Sequence, residues 1–235
     1  MSERFVEGFA VAVPKLTALL GTPAVGFAAI HKAIGRKPIF EDMVMTIGDG
    51  DEDDGLPEVT AGLDALPAGK APTLTYVERL TQLILHAHAE PLKPALMECN
   101  FMPADADSGL WNPAFKALGM KTIAKQWGKP TFKFLKKPAG FGWPIMTVVE
   151  PAALALWKAE LATPWKKQLA ALPSSTFDPE AADDAEDAYL SRDEVEAGIA
   201  VLAKWVTAAS KPITSKRKGV AAKGNALVLV IDGDQ

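Results

Sequence analysis

The sequence predicts an α+β fold in which several helices pack on a small sheet that includes strands from the N- and C-terminal regions. Two observations lead there. Many helix ends are marked by caps, prolines and glycines, whereas the strand-like runs are few and short. The strand-like runs also fail to alternate regularly with the helices, which argues against a doubly wound parallel sheet. The whole chain, 1–235, reads as a single α+β domain with acidic surface loops near 48–58 and 173–188.

In chain order, the first strand is expected at Phe9–Val13. Thr22-Pro23 places a cap before a proline at the first helical position, Gly35 closes that helix, and Phe27, Ile30 and Ile34 form its apolar stripe. Met43–Ile47 reads as a short strand. Thr75 and Glu78 have capping-box spacing, with Val77, Leu80 and Ile84 following at helical period until Pro91. Asn112-Pro113 opens a short helix ended by Gly119, and Met120, Ile123 and Trp127 make another with Gly128 as its left-handed cap. Strands are expected at Thr131–Leu135 and Ile145–Val149. Glu150-Pro151 then begins a helical stretch bearing Leu154, Trp157, Leu161, Trp165, Leu169 and Leu172, which Pro164 must kink or split. Ser191 and Glu194 form a capping box, Leu190 and Val195 a hydrophobic staple, and Val195, Ile199, Leu202 and Val206 a buried stripe. Ala226–Ile231, an unbroken apolar run of β-formers, is expected inside the sheet rather than at its edge.

At 235 residues, 49% hydrophobic and 23% charged, the chain can bury a core and is not disordered as a whole. A net charge of −4 argues against a dedicated nucleic-acid binder. The single cysteine, Cys99, allows no internal disulfide framework and suits a reducing compartment. The opening MSERFVEGF lacks an apolar signal region, and no apolar run approaches the roughly 18 residues of a membrane span. A cytoplasmic protein without membrane contact is the expectation.

Charge is segregated in blocks. Pro38–Gly69 holds nine acids and no base, Ser108–Val149 seven lysines and no acid, Gln168–Ser191 six acids, and Ala197–Ile231 six bases. Alternating blocks of this kind screen one another when neighbours in sequence lie close in space. The acid-free block also carries Trp111, Phe115, Trp127, Phe132, Phe134, Phe141 and Trp143, a composition that single-strand binders use. Periodicity assigns most of these rings to the core, and the block contains no arginine for forked phosphate contacts.

The segments GFAVAVPKLTALLG (Gly8–Gly21), LILHAHAEPL (Leu83–Leu92), PAGFGWPIM (Pro138–Met146), YLSRDEVEAGIAVLAKWV (Tyr189–Val206) and the closing ALVLVI together resemble an uncharacterised bacterial single-domain family, a domain of unknown function. That resemblance implies an α+β single domain and supplies no activity, cofactor or catalytic residue.

Catalytic and metal chemistry find little purchase. His86 and His88 lie about 200° apart on a helix, so His88 joins the core side while His86 pairs with Glu90 at i+4. His86, Glu90 and His31 are the candidates for a metal or catalytic cluster, with no evident further ligand. Asp49–Gly55 alternates oxygens like a calcium loop, but Asp54 stands where the glycine belongs and Thr60 where the closing glutamate belongs. No serine sits in a nucleophile elbow, and the neighbours of Cys99 are acidic and apolar. Phosphate-binding glycine motifs are incomplete at Gly69-Lys70 and at Gly140-Phe141-Gly142.

The reading that follows is a non-catalytic cytoplasmic protein-interaction module, immunity- or antitoxin-like, with no cofactor. Its expected partner-binding residues are the acidic Asp49, Asp51, Glu52, Asp53 and Asp54 together with Lys133, Lys136, Lys137 and Trp143. The alternative is an enzyme with an unfamiliar His/Glu site. A third reading is nucleic-acid binding through segment 111–143.

Overall fold

The computed structural model describes residues 4–48, 55–70, 77–94, 97–98, 111–135, 144–173, 191–211 and 225–233. The elements are β1 (Arg4–Val11), α1 (Val13–Thr17), α2 (Phe27–Ile34), α3 (Pro38–Ile47), α4 (Leu56–Ala65), α5 (Val77–His88), β2 (Glu90–Pro91) and β3 (Met97–Glu98). They continue with α6 (Trp111–Ala117), α7 (Lys121–Gln126), β4 (Ile145–Val149), α8 (Pro151–Leu161), α9 (Trp165–Ala171), α10 (Arg192–Ala209) and β5 (Ala226–Gly233).

The sheet is antiparallel, in the order β2-β1-β5-β4, with β3 pairing further along the outer edge of β1. β5 is central, as its unbroken apolar sequence requires: it pairs with β1 from Arg4↔Gly233 to Val11↔Ala226 and with β4 from Ile145↔Ile231 to Val149↔Leu227. Side chains alternate between two helical layers. Val6, Ala10, Ile145, Val149, Leu227, Leu229 and Ile231 join a core built with α6–α10. Phe9, Val11, Met146, Val228 and Val230 join a second core built with α1–α5. The result is a three-layer sandwich, helices covering both faces of a sheet whose long central pair, β1 and β5, comes from the N- and C-terminal regions.

Most sequence-marked helix ends hold. Ser191 Oγ accepts the Glu194 N–H at 3.2 Å while Glu194 Oε2 accepts the Ser191 N–H at 2.6 Å, so the capping box of α10 is complete. Gly119 and Gly128 adopt φ of 72° and 68°, the left-handed conformation expected of helix-ending glycines. Pro164 splits its stretch into α8 and α9, whose shared apolar stripe (Leu154, Trp157, Leu161, Trp165, Leu169) is buried.

Four expectations need correction. Met43–Ile47 is the end of helix α3, not a strand: Pro38 starts the helix, and Phe40, Met43, Val44 and Ile47 recur at helical spacing and are buried. Local β-propensity yields there to the apolar face against the second core. Thr131–Leu135 forms no strand, yet it runs beside β4. The Phe132 N–H donates to the Met146 carbonyl at 3.0 Å, and Thr131 Oγ1 accepts from the Val148 N–H at 3.0 Å, a hydroxyl replacing a backbone partner. The helix expected from Thr22 to Gly35 divides at Gly26 into a short 3-10 turn, Pro23–Val25, and α2. The first strand ends at Val11, and Val13 already belongs to α1.

Candidate functional site

Two polar constellations stand out, one buried and one open. The buried one lies between β1 and α5. Glu7, on the strand face that otherwise carries Phe9 and Val11, is 9% exposed. Its Oε2 accepts from Gln82 Nε2 at 3.1 Å and lies 3.0 Å from His86 Nε2. Gln82 Oε1 accepts in turn from Arg79 Nη1 at 3.4 Å, and the Phe9 ring meets the His86 ring edge-on at 5.0 Å. Arg79, Gln82 and His86 recur at three- and four-residue spacing, which brings them to one face of α5. Each member is hydrogen-bonded within the sandwich, so the network ties strand to helix rather than opening toward a ligand.

This arrangement changes the expected role of the histidines. His86 pairs with Glu7 and not with Glu90, because α5 ends at His88 and Glu90 belongs to β2, opposite Ala10. His88 Nε2 lies 2.8 Å from the Ala24 carbonyl. His31 is exposed on α2, stacked against Phe27 at 5.4 Å and edge-on to Phe40 at 5.3 Å. His31, His86 and Glu90 therefore have three different surroundings, and among the described residues no group of three or more His, Cys, Asp or Glu is placed to hold a metal ion.

The open constellation belongs to the helical hairpin α6–α7. Trp111, Ala114, Phe115 and Leu118 on one arm and Met120, Ile123, Ala124 and Trp127 on the other are buried in the first core. Trp111 and Phe115 stack at 5.6 Å, and Phe115 and Trp127 meet edge-on at 5.3 Å. With the aromatic faces turned inward, Lys116 on α6, Lys121 and Lys125 four apart on α7, and Lys129 just beyond the Gly128 cap reach solvent, while Asn112, one turn before Lys116, stays buried. Together with Ala124 these five side chains line a solvent-open cavity of about 400 Å³. Among the described residues no acid lines it, and no ion pair engages any of its lysines.

The cavity walls are held from behind. Glu160 on α8 accepts the Thr122 N–H at 2.7 Å and the Ile123 N–H at 3.1 Å, capping α7 with a carboxylate where its amides are otherwise free. Trp157 Nε1 donates to Gln126 Oε1 at 2.7 Å at the other end of the same helix. Thr147 Oγ1, fully buried in β4, donates to the Lys129 carbonyl at 2.7 Å and fixes the backbone there. Three buried polar atoms of the hairpin have no hydrogen-bond partner: Oδ1 of Asn112, which is 5% exposed, and Nε1 of Trp111 and of Trp127.

Of the residues expected to bind a partner, Lys133 is exposed beside β4. Asp49, Asp51, Glu52, Asp53, Asp54, Lys136, Lys137 and Trp143 lie outside the described residues. The expectation that most of the block's aromatics are core holds for Trp111, Phe115 and Trp127, each 0% exposed, which leaves them no face on which a base could stack. The lysine cavity itself was not singled out from the sequence. Its signal was present as a four-residue lysine spacing interrupted at Gly119, legible only once the turn there is known to fold α6 against α7. No known protein-family model, curated protein or solved structure matches the chain.

Proposed function

We propose that this chain is a non-catalytic, cytoplasmic protein-interaction module of bacterial type that receives an acidic protein partner on the lysine face of α6–α7. One observation carries the reading: Lys116, Lys121, Lys125 and Lys129 surround a single cavity with no described acid to neutralise them. Unpaired cations gathered on a rigid, α8-braced hairpin provide a potential complementary to an acidic surface, and such complementarity speeds association and selects partners. The bonding of Glu7 to both Gln82 and His86 favours a structural role for the groups that an enzyme would otherwise use. No described helix is long and apolar enough to cross a membrane.

The test is a cross-linking pull-down with partner identification, comparing the wild type with the double variant Lys116→Glu/Lys125→Glu. An acidic protein recovered by the wild type and lost by the variant, with both proteins equally folded, supports the module. Equal recovery by both overturns it.

A further inference from the structure

The chain is an acidic protein with one basic face. Its 25 Lys and Arg stand against 29 Asp and Glu, and seven of the bases sit in the acid-free block Ser108–Val149. Outside that block 18 bases are left against all 29 acids, an excess of 11 negative charges. Pro38–Gly69 gathers nine of those acids with no base. Its helices α3 and α4 pack in the second core, whereas α6 and α7 pack in the first. The sheet therefore stands between the acidic helices and the lysine cavity, and the screening that charge blocks of opposite sign give one another cannot form between these elements within one molecule.

Resting on the reading that the lysine face receives an acidic protein, we propose that this protein is a second copy of the chain, whose α3 docks on α6–α7 of the first. Three features select that occupant. α3 turns Glu41, Asp42 and Met45 to solvent, and their spacing of three and four residues puts them on one helix face. Among the described residues no ion pair engages either acid, so both charges are open to the lysines of another copy. Met45 is one of two large apolar side chains left exposed among the described residues, and the cavity of about 400 Å³ has Ala124 in its lining. Lysine stems are apolar below their charged heads, so the wall that attracts Glu41 and Asp42 also covers the thioether of Met45. The two faces are different surfaces of the chain, which makes the contact heterologous, and successive copies build a ring or an open chain.

Sedimentation velocity on the purified full chain, at rising concentration and in low and high salt, tests this. The wild type is expected to associate at low salt and to return to monomer at high salt, because exposed charges drive the contact. Glu41→Lys/Asp42→Lys and Lys116→Glu/Lys125→Glu, each shown to be folded by circular dichroism, should stay monomeric alone. An equal mixture of the two should associate, since each reversed face then meets its complement on the other variant. Met45→Ser should weaken association severalfold. A wild type that stays monomeric, a charge variant that associates like the wild type, a mixture that stays monomeric, or an unchanged Met45→Ser overturns the proposal. A monomeric wild type that still captures a different acidic protein through Lys116 and Lys125 overturns the second copy alone. A monomeric wild type that captures none overturns the lysine face as the working surface as well.

Discussion

Gly8 shows how one residue can set the distance between layers. A Cβ built there would lie 2.7 Å from the Trp205 ring, so α10 packs against β1 only because the strand has no side chain at that point. Trp205 is held in place by its Nε1, which donates to the Pro94 carbonyl at 3.1 Å, and cannot withdraw cheaply. Gly8→Ala is therefore expected to destabilise the protein by about 1–3 kcal/mol through overpacking. Urea denaturation measures this, and the loss should shrink when Gly8→Ala is combined with Trp205→Leu. A stability equal to wild type would show that the layers can separate freely.

Glu7 is the polar counterpart on the opposite sheet face. Replacing it with leucine leaves Gln82 Nε2 and His86 without the acceptor they share, at a cost of about 1–3 kcal/mol. The energy should be strongly non-additive with Gln82→Leu, because the pair acts as a unit. Additive losses in a double-mutant cycle would dissolve the network into independent contacts.

At the scale of the element, α7 is the informative case. Six residues are too few to hold a helix on their own, and the element depends on α8 at both ends, through Glu160 on its first amides and Trp157 on Gln126. Glu160→Ala is expected to cost about 1–2 kcal/mol and to increase hydrogen exchange selectively at Thr122 and Ile123. Exchange rates unchanged at those two amides would remove the carboxylate cap. Lys121 and Lys125 also stand four apart with no acid between them, an arrangement that costs a helix about 0.2–0.5 kcal/mol. Lys125→Gln should accordingly stabilise the free protein slightly at low salt and lose that advantage at high salt. The same substitution removes one of the charges proposed to receive an acidic partner, so stability and recognition are expected to move in opposite directions.

At the scale of the whole molecule, the order β2-β1-β5-β4 makes the last strand the keystone. β5 supplies Leu227, Leu229 and Ile231 to one core and Val228 and Val230 to the other, all 0% exposed. Its partners β1 and β4 have no contact with each other in the sheet order, so without β5 both faces lose their support. A chain ending before Asn225 is expected to lack cooperative unfolding by circular dichroism; a sharp transition in that truncation would show that the helices alone can close the cores.

The amino-acid sequence by itself determined the class of fold, the position of most helix ends and the central place of β5. These depend on short-range chemistry: a serine and a glutamate three apart, a glycine able to take positive φ, a proline without an N–H, an unbroken apolar run. Met43–Ile47 escaped that logic because five residues carry too little periodicity to separate a strand from the end of a helix, and burial against the second core decided between them. His86 escaped it as well, since its partner Glu7 lies 79 residues away and meets it only where β1 crosses α5. The lysine cavity follows the same rule. Its lysines are plain in the sequence, but their convergence on Asn112 is created by the Gly119 turn and by α8 bracing the hairpin from behind. Sequence neighbours write local conformation, whereas a site assembled from two helices and a brace exists only once long-range packing has brought them together.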